Sequence, residues 1–326
     1  MLECDVFSVN MRGSGVGMQT ILGAGGQIGT ELARELHDRY TTRLRLVSRH
    51  PKRLHDTDEV VAASLLDAEQ TDAAVSGSDI VYLTVGLPPN AKMWAEQLPV
   101  MMRNTIDACE RHGAKLVFFD NTYMYPMTGE PLTEDTPFDP RGPKAKTRAL
   151  VTTMLLEAMS AGRVEAVICR APEFYGTGKT QSFTNTLFLD PIQKGEKPRV
   201  PLRDDTLRTL IWTPDASRAM ALLGNTPSAY GQTWHLPCDS PLTYRQLAGV
   251  ASGVWGKEVR YTVMPKIAFQ AAGLFDRGAR GILELLPRYA HDSIFVTDKF
   301  AHAFPDFRVT TYREGIQSIH DAHATP

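Results

Sequence analysis

The sequence has no apolar run approaching the roughly 20 residues needed to cross a bilayer, so no membrane span is expected. It has no basic excess either. Lys and Arg number 35 against 37 Asp and Glu, a formal net charge of −2. No local basic run stands out, so nothing favours a nucleic acid partner. Cysteine is scarce: Cys4, Cys109, Cys169 and Cys238 are scattered without metal-ligand spacing. Cys109 and Cys169 fall in apolar stretches and read as buried thiols, so no metal is expected and a reducing cytoplasm fits. The opening residues, MLECDVFSVNMRGSGVG, carry Glu3 and Asp5 and lack a cationic segment before an apolar core. A signal peptide is therefore not expected. Internal repeats and low-complexity linkers are absent as well.

What is present begins at Met18. Residues 1–17 read as a poorly ordered extension. The apolar run Met18–Leu22 is followed by Gly23-Ala24-Gly25-Gly26-Gln27-Ile28-Gly29 and then by helical residues 30–37. Strand, glycine turn and helix is the context that a dinucleotide fingerprint requires. The spacing is G-x-x-G-x-x-G at Gly23, Gly26 and Gly29, because Ile28 fills the last position of G-x-G-x-x-G. Gly25 adds a fourth glycine. Such a turn brings backbone N–H groups to a pyrophosphate, and the helix N-terminus adds partial positive charge. The plain alternative is a glycine-rich connection in any α/β protein.

The second strand, residues 44–49, runs into Ser48, Arg49, His50, Lys52 and Arg53. About 20 residues past the fingerprint, NAD enzymes place an acid on the adenosine ribose. That position here is Arg49, which would attract a 2′-phosphate, with Arg53 beside it. NADP is therefore expected as cofactor, with NAD the alternative; a merely solvated basic loop is the plain reading. Strands at 59–63, 79–86, 114–120 and 164–169 then alternate with helices at 67–75, 94–112 and 144–161. This predicts an α/β fold of the Rossmann type, with a doubly wound parallel sheet. Ligands lie beyond the carboxyl ends of such strands. Leu65, Thr84, Val85, Gly86 and Pro172 join the cofactor candidates on that ground, as do the stretches 121–126, 144–148 and 170–176.

These residues resemble the short-chain dehydrogenase/reductase superfamily, in its extended branch of NAD(P)-dependent epimerases and dehydratases. The turn Gly23 to Gly29 is similar to that family's fingerprint. Leu132-Thr133-Glu134-Asp135-Thr136-Pro137, followed by Pro140, resembles its acidic, proline-bounded loop, and Arg170 to Gly176 resembles its R-x-x-x-x-Y-G stretch. The resemblance covers the chain from Met18 nearly to its end. It implies a Ser or Thr holding the substrate oxygen, a Tyr as acid/base, and a Lys four residues later that lowers the Tyr pKa. Alignment on Tyr125 puts Asn121 at the Ser position with Thr122 beside it, Lys144 at the Tyr position and Arg148 at the Lys position. Arg148 could hold ribose hydroxyls but cannot exchange a proton. Lys144, Tyr123 and Tyr125 are the candidate replacement acids. Packing is the plain alternative for the tyrosines, and an exposed first-turn side chain for Lys144. The one Tyr-x-x-x-Lys spacing, Tyr175 to Lys179, contains two glycines and reads as chance.

Residues 18–176 thus form the expected dinucleotide-binding domain. Residues 177–326 form mainly a smaller, discontinuous C-terminal substrate domain with segments returning to the sheet. Expected elements there are a helix at 182–189, a strand at 204–212, a helix from Thr213 (as N-cap) and Pro214 (in the first turn) to 223, and a return strand at 232–237. A helix at 243–253, a strand at 259–263, an apolar helical region at 269–286 with Gly273 and Gly278, and a helix from Tyr312 follow. His235, in an apolar strand, reads as a hydrogen-bonded structural histidine. Arg203 and Arg208 are possible anion anchors, with surface solvation the plainer reading. The function expected is an NADP-dependent oxidoreductase or epimerase/dehydratase-like enzyme acting on a small hydroxyl- or carbonyl-bearing substrate. The alternative is a non-catalytic NADP(H)-sensing regulator. Helices 94–112 and 145–161 could pair across a homodimer.

Overall fold

Runs such as Lys115–Asp120 and Ala166–Arg170 are apolar on both faces, and a strand of that kind needs helices above and below it. A computed structural model describes residues 17–178, 182–275 and 283–324. The expected N-terminal extension up to residue 16, Lys179 and Gly278 lie outside them. The first half alternates as β1 (Met18–Leu22), α1 (Gln27–Arg39), β2 (Leu44–Ser48), β3 (Glu59–Ala62), α2 (Ala68–Val75) and β4 (Ser78–Leu83). It continues as α3 (Ala91–His112), β5 (Lys115–Asp120), α4 (Pro143–Ser160) and β6 (Ala166–Arg170). With β10 (Thr233–His235) from the second half, these strands form a seven-stranded sheet in the order β10-β6-β5-β4-β1-β2-β3. Every pairing in it is parallel. The fold is Rossmann-type.

Helices cover both faces. The stripe Ile28, Leu32, Ala33 and Leu36 of α1 packs with α6 (Thr213–Gly224) on one side. Residues of α2, α3 and α4 pack on the other, around Met102, Ile106, Leu116 and Leu155. The chain moves from β1 outward to β2 and β3, then crosses back to β4 on the other side of β1. A crevice opens at such a reversal, above the carboxyl ends of β1 and β4. Everything functional below gathers there.

The second half adds small parallel pairs, β7 (Glu173–Tyr175) with β9 (Leu210–Trp212) and β8 (Arg199–Pro201) with β11 (Thr262–Met264). They pack with α7 (Tyr244–Trp255) around Tyr175, Phe188, Trp212, Tyr244 and Tyr289. The α7 N-terminus has a capping box between Thr243 and Gln246. Several boundaries differ from expectation. The strand expected at 204–212 is confined to Leu210–Trp212, because Arg208 bridges singly to Leu242 and Ser293. Residues 184–189 form a wide, π-type turn leading into a short helix, Asp190–Gln193. Thr213 does not cap α6; Trp212 occupies the cap, and the Thr213 hydroxyl donates to Tyr175 O at 3.0 Å. Helix α8 spans Lys266–Phe275, and a last helix spans Tyr312–Ala324. Among the described residues no helix is long and apolar enough to cross a membrane.

Candidate active site

Strand β1 delivers the chain to Gly23 and α1 takes it up at Gln27. Two glycines in this turn are dictated by geometry. Gly23 has φ +100°, and a Cβ on it would lie 2.9 Å from Val85 N. A Cβ on Gly29 would lie 2.6 Å from Gly23 O and 2.9 Å from Ala24 Cα. These are backbone atoms, so α1 can approach β1 this closely only with glycine at 29. Gly26 caps α1 without a side-chain hydrogen bond, and no acid stands in the first turn. The first N–H groups of the helix are thus left for an anion. Gln27 Oε1 and Ser48 Oγ are buried without a hydrogen-bond partner among the described residues. Ser48 Oγ lies 3.6 Å from where a Gly25 Cβ would be. Open N–H groups, a concave glycine surface and orphaned polar atoms fit a dinucleotide's pyrophosphate and ribose.

From this turn a cavity of about 420 Å³ runs past residues 84–87, 119–123 and 171–174 to Arg208, Arg288, Tyr289 and Ser293. Asp120, at the end of β5, is the hub of its wall. Asp120 Oδ1 accepts from Arg148 Nη2 at 2.6 Å and from Asn121 N at 2.8 Å. Its Oδ2 accepts from Thr152 Oγ1 at 3.0 Å and from Arg170 Nε at 3.1 Å. Lys144, Arg148 and Thr152 follow one another at i, i+4 and i+8, so α4 turns one stripe of buried polar side chains toward the sheet.

The network continues away from the cavity. Arg170 Nη1 donates to the Tyr125 hydroxyl at 2.6 Å, and that hydroxyl lies 2.8 Å from His235 Nε2 and 2.9 Å from Thr133 O. His235 Nδ1 sits 2.8 Å from Val296 O. A carbonyl can only accept, so Nδ1 carries the hydrogen, and the single Tyr125 hydroxyl hydrogen lies between Nε2 and Thr133 O. Burial pushes the imidazole pKa down to about 3, which keeps the ring neutral. His235 is a hydrogen-bonded structural histidine.

At the far end, Glu173 Oε1 accepts from Thr184 N and Oγ1 at 2.9 and 2.8 Å. Its Oε2 accepts from the Tyr289 hydroxyl at 2.8 Å and from Arg208 Nη2 at 3.4 Å. Arg208 is only 5% exposed and stacks 4.1 Å above the Tyr289 ring, which replaces the solvated reading. Arg203 is exposed and pairs with Asp205 at 2.8 Å. Arg288 Nη1 donates to Thr122 O at 3.1 Å and Nη2 donates to Tyr123 O.

Gly25, Gly26, Gln27, Ile28, Thr84, Val85, Gly86, Asn121, Thr122, Tyr123, Arg148 and Pro172 all line this one cavity. Arg49 and Arg53 are exposed at the carboxyl end of β2, outside its wall. Three residues depart from expectation. Leu65 is buried in the core beside α3, its carbonyl taken by Asn104 Nδ2 at 2.9 Å, so its side chain packs instead of meeting a cofactor. Tyr125 is fully buried with its hydroxyl committed to the Arg170 and His235 network. Lys144 is 1% exposed and absent from the cavity wall; its Nζ lies 3.8 Å from Glu284, whose other oxygen accepts from Lys144 N at 2.7 Å. Desolvation lowers the Lys144 pKa against the pull of Glu284.

Of the three candidate acids, Tyr123 alone reaches the cavity. Its ring lies against Trp94, with centroids 5.8 Å apart and planes 8° from parallel. Its hydroxyl has no hydrogen-bond partner among the described residues. Burial pushes its pKa up to about 12, opposed chiefly by Arg288. Sequence reasoning missed Asp120, Glu173, Glu284 and Arg288. Asp120 carried a usable signal, an acid closing the apolar run KLVFFD; Arg288 carried none, since it meets residues 122 and 123 only through the fold.

Elsewhere, His37, Asp38 and His55 bring potential ligand atoms within 4.8 Å of one another. The two imidazoles stack with centroids 3.7 Å apart and planes at 6°. Lone pairs lying in parallel planes run side by side and do not converge on one ion.

Residues 20–235 match the model of the NAD dependent epimerase/dehydratase family. The uncharacterized protein y4nL of Sinorhizobium fredii is 24% identical over 250 residues, which are 73% of this chain and 69% of that one. The fold is similar to that of Thermus thermophilus UDP-glucose 4-epimerase in complex with NAD, with TM-score 0.73, 19% identity and coverage of 94% of this chain and 99% of that one. It is also similar to the dTDP-glucose 4,6-dehydratase DesIV of Streptomyces venezuelae, solved as a double mutant with NAD bound. There the TM-score is 0.75 at 16% identity, covering 94% and 97% of the two chains.

Proposed function

This chain belongs to the NAD dependent epimerase/dehydratase family, and on that premise we propose that it is an NADP-dependent oxidoreductase or epimerase/dehydratase-like enzyme for a small hydroxyl- or carbonyl-bearing substrate. One observation carries the reading: a single cavity joins the glycine turn to Tyr123 and Arg148. The dinucleotide, when bound, supplies a hydride donor or acceptor. The N–H groups at the start of α1 take its pyrophosphate, and Ser48, Arg49 and Arg53 take the 2′-phosphate. Arg148 is fixed by Asp120 and keeps a buried, unpartnered Nε, which suits it to a ribose hydroxyl. Asn121 and Thr122 lie where a substrate oxygen would be held. Tyr123 keeps its proton at neutral pH and donates it to that oxygen as hydride arrives. Nucleotide sugars belong among the trial substrates, because the similar epimerase and dehydratase act on them. Residues 177–326 would mainly enclose the substrate. Leu150 and Leu156, exposed at 52% and 38% on α4, mark the face through which we expect a homodimer.

A second reading, an NADP(H) sensor, is favoured by the withdrawal of Lys144 and Tyr125 from the cavity. Titration with NADPH tests both, and absence of binding overturns both. Tyr123→Phe separates them: the enzyme loses about 10²–10⁴-fold in kcat, whereas Lys144→Met leaves the proton transfer intact. Slow turnover indifferent to Tyr123→Phe would select the sensor.

A further inference from the structure

The charges around the cavity do not balance, and among these arginines one alone has no ion pair with a described residue. Arg148, Arg170, Arg208 and Arg288 face two carboxylates, Asp120 and Glu173. Asp120 is shared by Arg148 and Arg170. Both oxygens of Glu173 are occupied, by Thr184, Tyr289 and Arg208. Glu284 is held at Lys144 and the start of α4. Arg288 is left with two neutral carbonyls, Thr122 O and Tyr123 O, and no ion pair among the described residues. Desolvation pulls its pKa down to about 10, with Glu284 opposing the shift only from a distance and without an ion pair. Such a charge is expensive to hold, and a guanidinium fork is shaped for a planar oxyanion.

The phosphates of a dinucleotide belong at the glycine turn, the opposite end of the cavity. The missing anion therefore comes from the substrate. We propose that the substrate carries a carboxylate one or two bonds from its reacting carbon, and that Arg288 binds it beside Tyr123. The Arg288 guanidinium lies over the face of the Tyr123 ring, 5.4 Å from its centroid, and both residues line the same cavity, within reach of one small molecule. The substrate class is a 2- or 3-hydroxy acid and its keto acid. In the oxidative direction the carbinol C–H bond breaks and its hydride passes to NADP⁺. The hydroxyl proton passes to Tyr123 in its ionised form and from there to solvent, and the products are the keto acid, NADPH and a proton. This rests on the NADP-dependent hydride-transfer reading above.

The test uses the full chain. NADPH binding is measured first; its absence overturns the underlying reading, whereas the steps that follow bear on Arg288 alone. With NADP⁺ bound, 2- and 3-hydroxy acids of three to six carbons are compared with their carboxamides. The acids should be favoured by about 100-fold in kcat/KM, the scale of a charge-assisted bidentate contact. Arg288→Lys, which keeps the cation and loses the fork, should cost the acids about tenfold and the amides nothing. Arg288→Met should erase the preference, and NADPH affinity checks that each variant folds. Equal use of acids and amides, equal losses on both, or a preference for phosphomonoesters would overturn the proposal. If nothing in the panel turns over, calorimetry of the NADP⁺-bound protein with malonate and its monoamide decides. Binding of malonate alone, lost in Arg288→Met, supports the carboxylate site; equal or no binding of the two overturns it.

Discussion

The two ends of the cavity are built in opposite ways. The end proposed for the nucleotide is eight consecutive residues, Leu22 to Gly29, whose working parts are backbone N–H groups and missing side chains. The end proposed for the substrate, with the network behind its wall, draws Asp120, Arg148, Arg170, Glu173, Arg208 and Arg288 from β5, α4, β6, β7 and the loops of the second half, and holds them by charge. The first needs a tight turn and little else. The second must remove six ionised groups from water, and five of them lie in ion pairs whose loss costs the fold more than the pair gave. A site made of backbone survives drift in sequence around it. A charge-matched site fails as a unit when one member goes.

The largest effect should therefore come from the hub. Asp120→Ala leaves both Arg148 and Arg170 buried without a carboxylate partner, and should cost about 3–5 kcal/mol. Urea unfolding reads this directly, and a loss below about 1 kcal/mol would show that the arginines find water or other acceptors.

Next comes pH, in the buried network behind that end. The folded pKa of His235 is near 3, against about 6.5 for an unfolded histidine. The unfolded chain therefore binds the proton first as pH falls. The stability tied to the neutral ring is complete above about pH 6.5 and drains away toward pH 3, by at most about 1.4 kcal/mol per pH unit. His235→Phe keeps a ring on Phe295 and removes the titration. Its stability should fall less steeply between pH 6.5 and 4. An unchanged slope would show that the acid sensitivity does not come from His235.

This contrast also explains what could be read in advance. The parallel sheet, the glycine turn and the structural place of His235 were legible, because periodicity and spacing are local. The position after β5 pointed to residues 121–123 for the same reason. The retreat of Lys144 was not legible: it depends on Glu284, 140 residues away, reaching the N-terminus of α4. The inward turn of the Leu65 side chain was not legible on the same ground, since a residue after a strand can face α3 as readily as the crevice. Arg208, expected to be solvated, is buried because the bridges to Leu242 and Ser293 carry it under Tyr289.

At the nucleotide end the effects should be smaller and should fall on binding. Gly29→Ala puts a methyl 2.6 Å from Gly23 O, so the turn must shift, at a cost of about 1–3 kcal/mol and with weakened NADPH binding. Gly25→Ala has only Ser48 within reach, at 3.6 Å. It should leave Tm nearly unchanged and weaken the cofactor alone. A matching loss of stability in both variants would show that the turn is not held by the contact at Gly29.

The smallest expected effect separates one cofactor from the other. Arg49 is exposed, so its attraction for a 2′-phosphate acts through water and salt, unlike the buried pairs at the other end. Arg49→Ala should weaken NADPH by about tenfold, leave NADH unchanged, and do so less as ionic strength rises. Ser48, whose buried hydroxyl has no partner, should matter for both dinucleotides if it meets the ribose and for NADPH alone if it meets the phosphate. If Arg49→Ala leaves the preference unchanged while Arg53→Ala removes it, the phosphate sits further along the loop after β2. If neither changes it, the nucleotide end reads only the pyrophosphate, and discrimination between NAD and NADP has no side chain to carry it there.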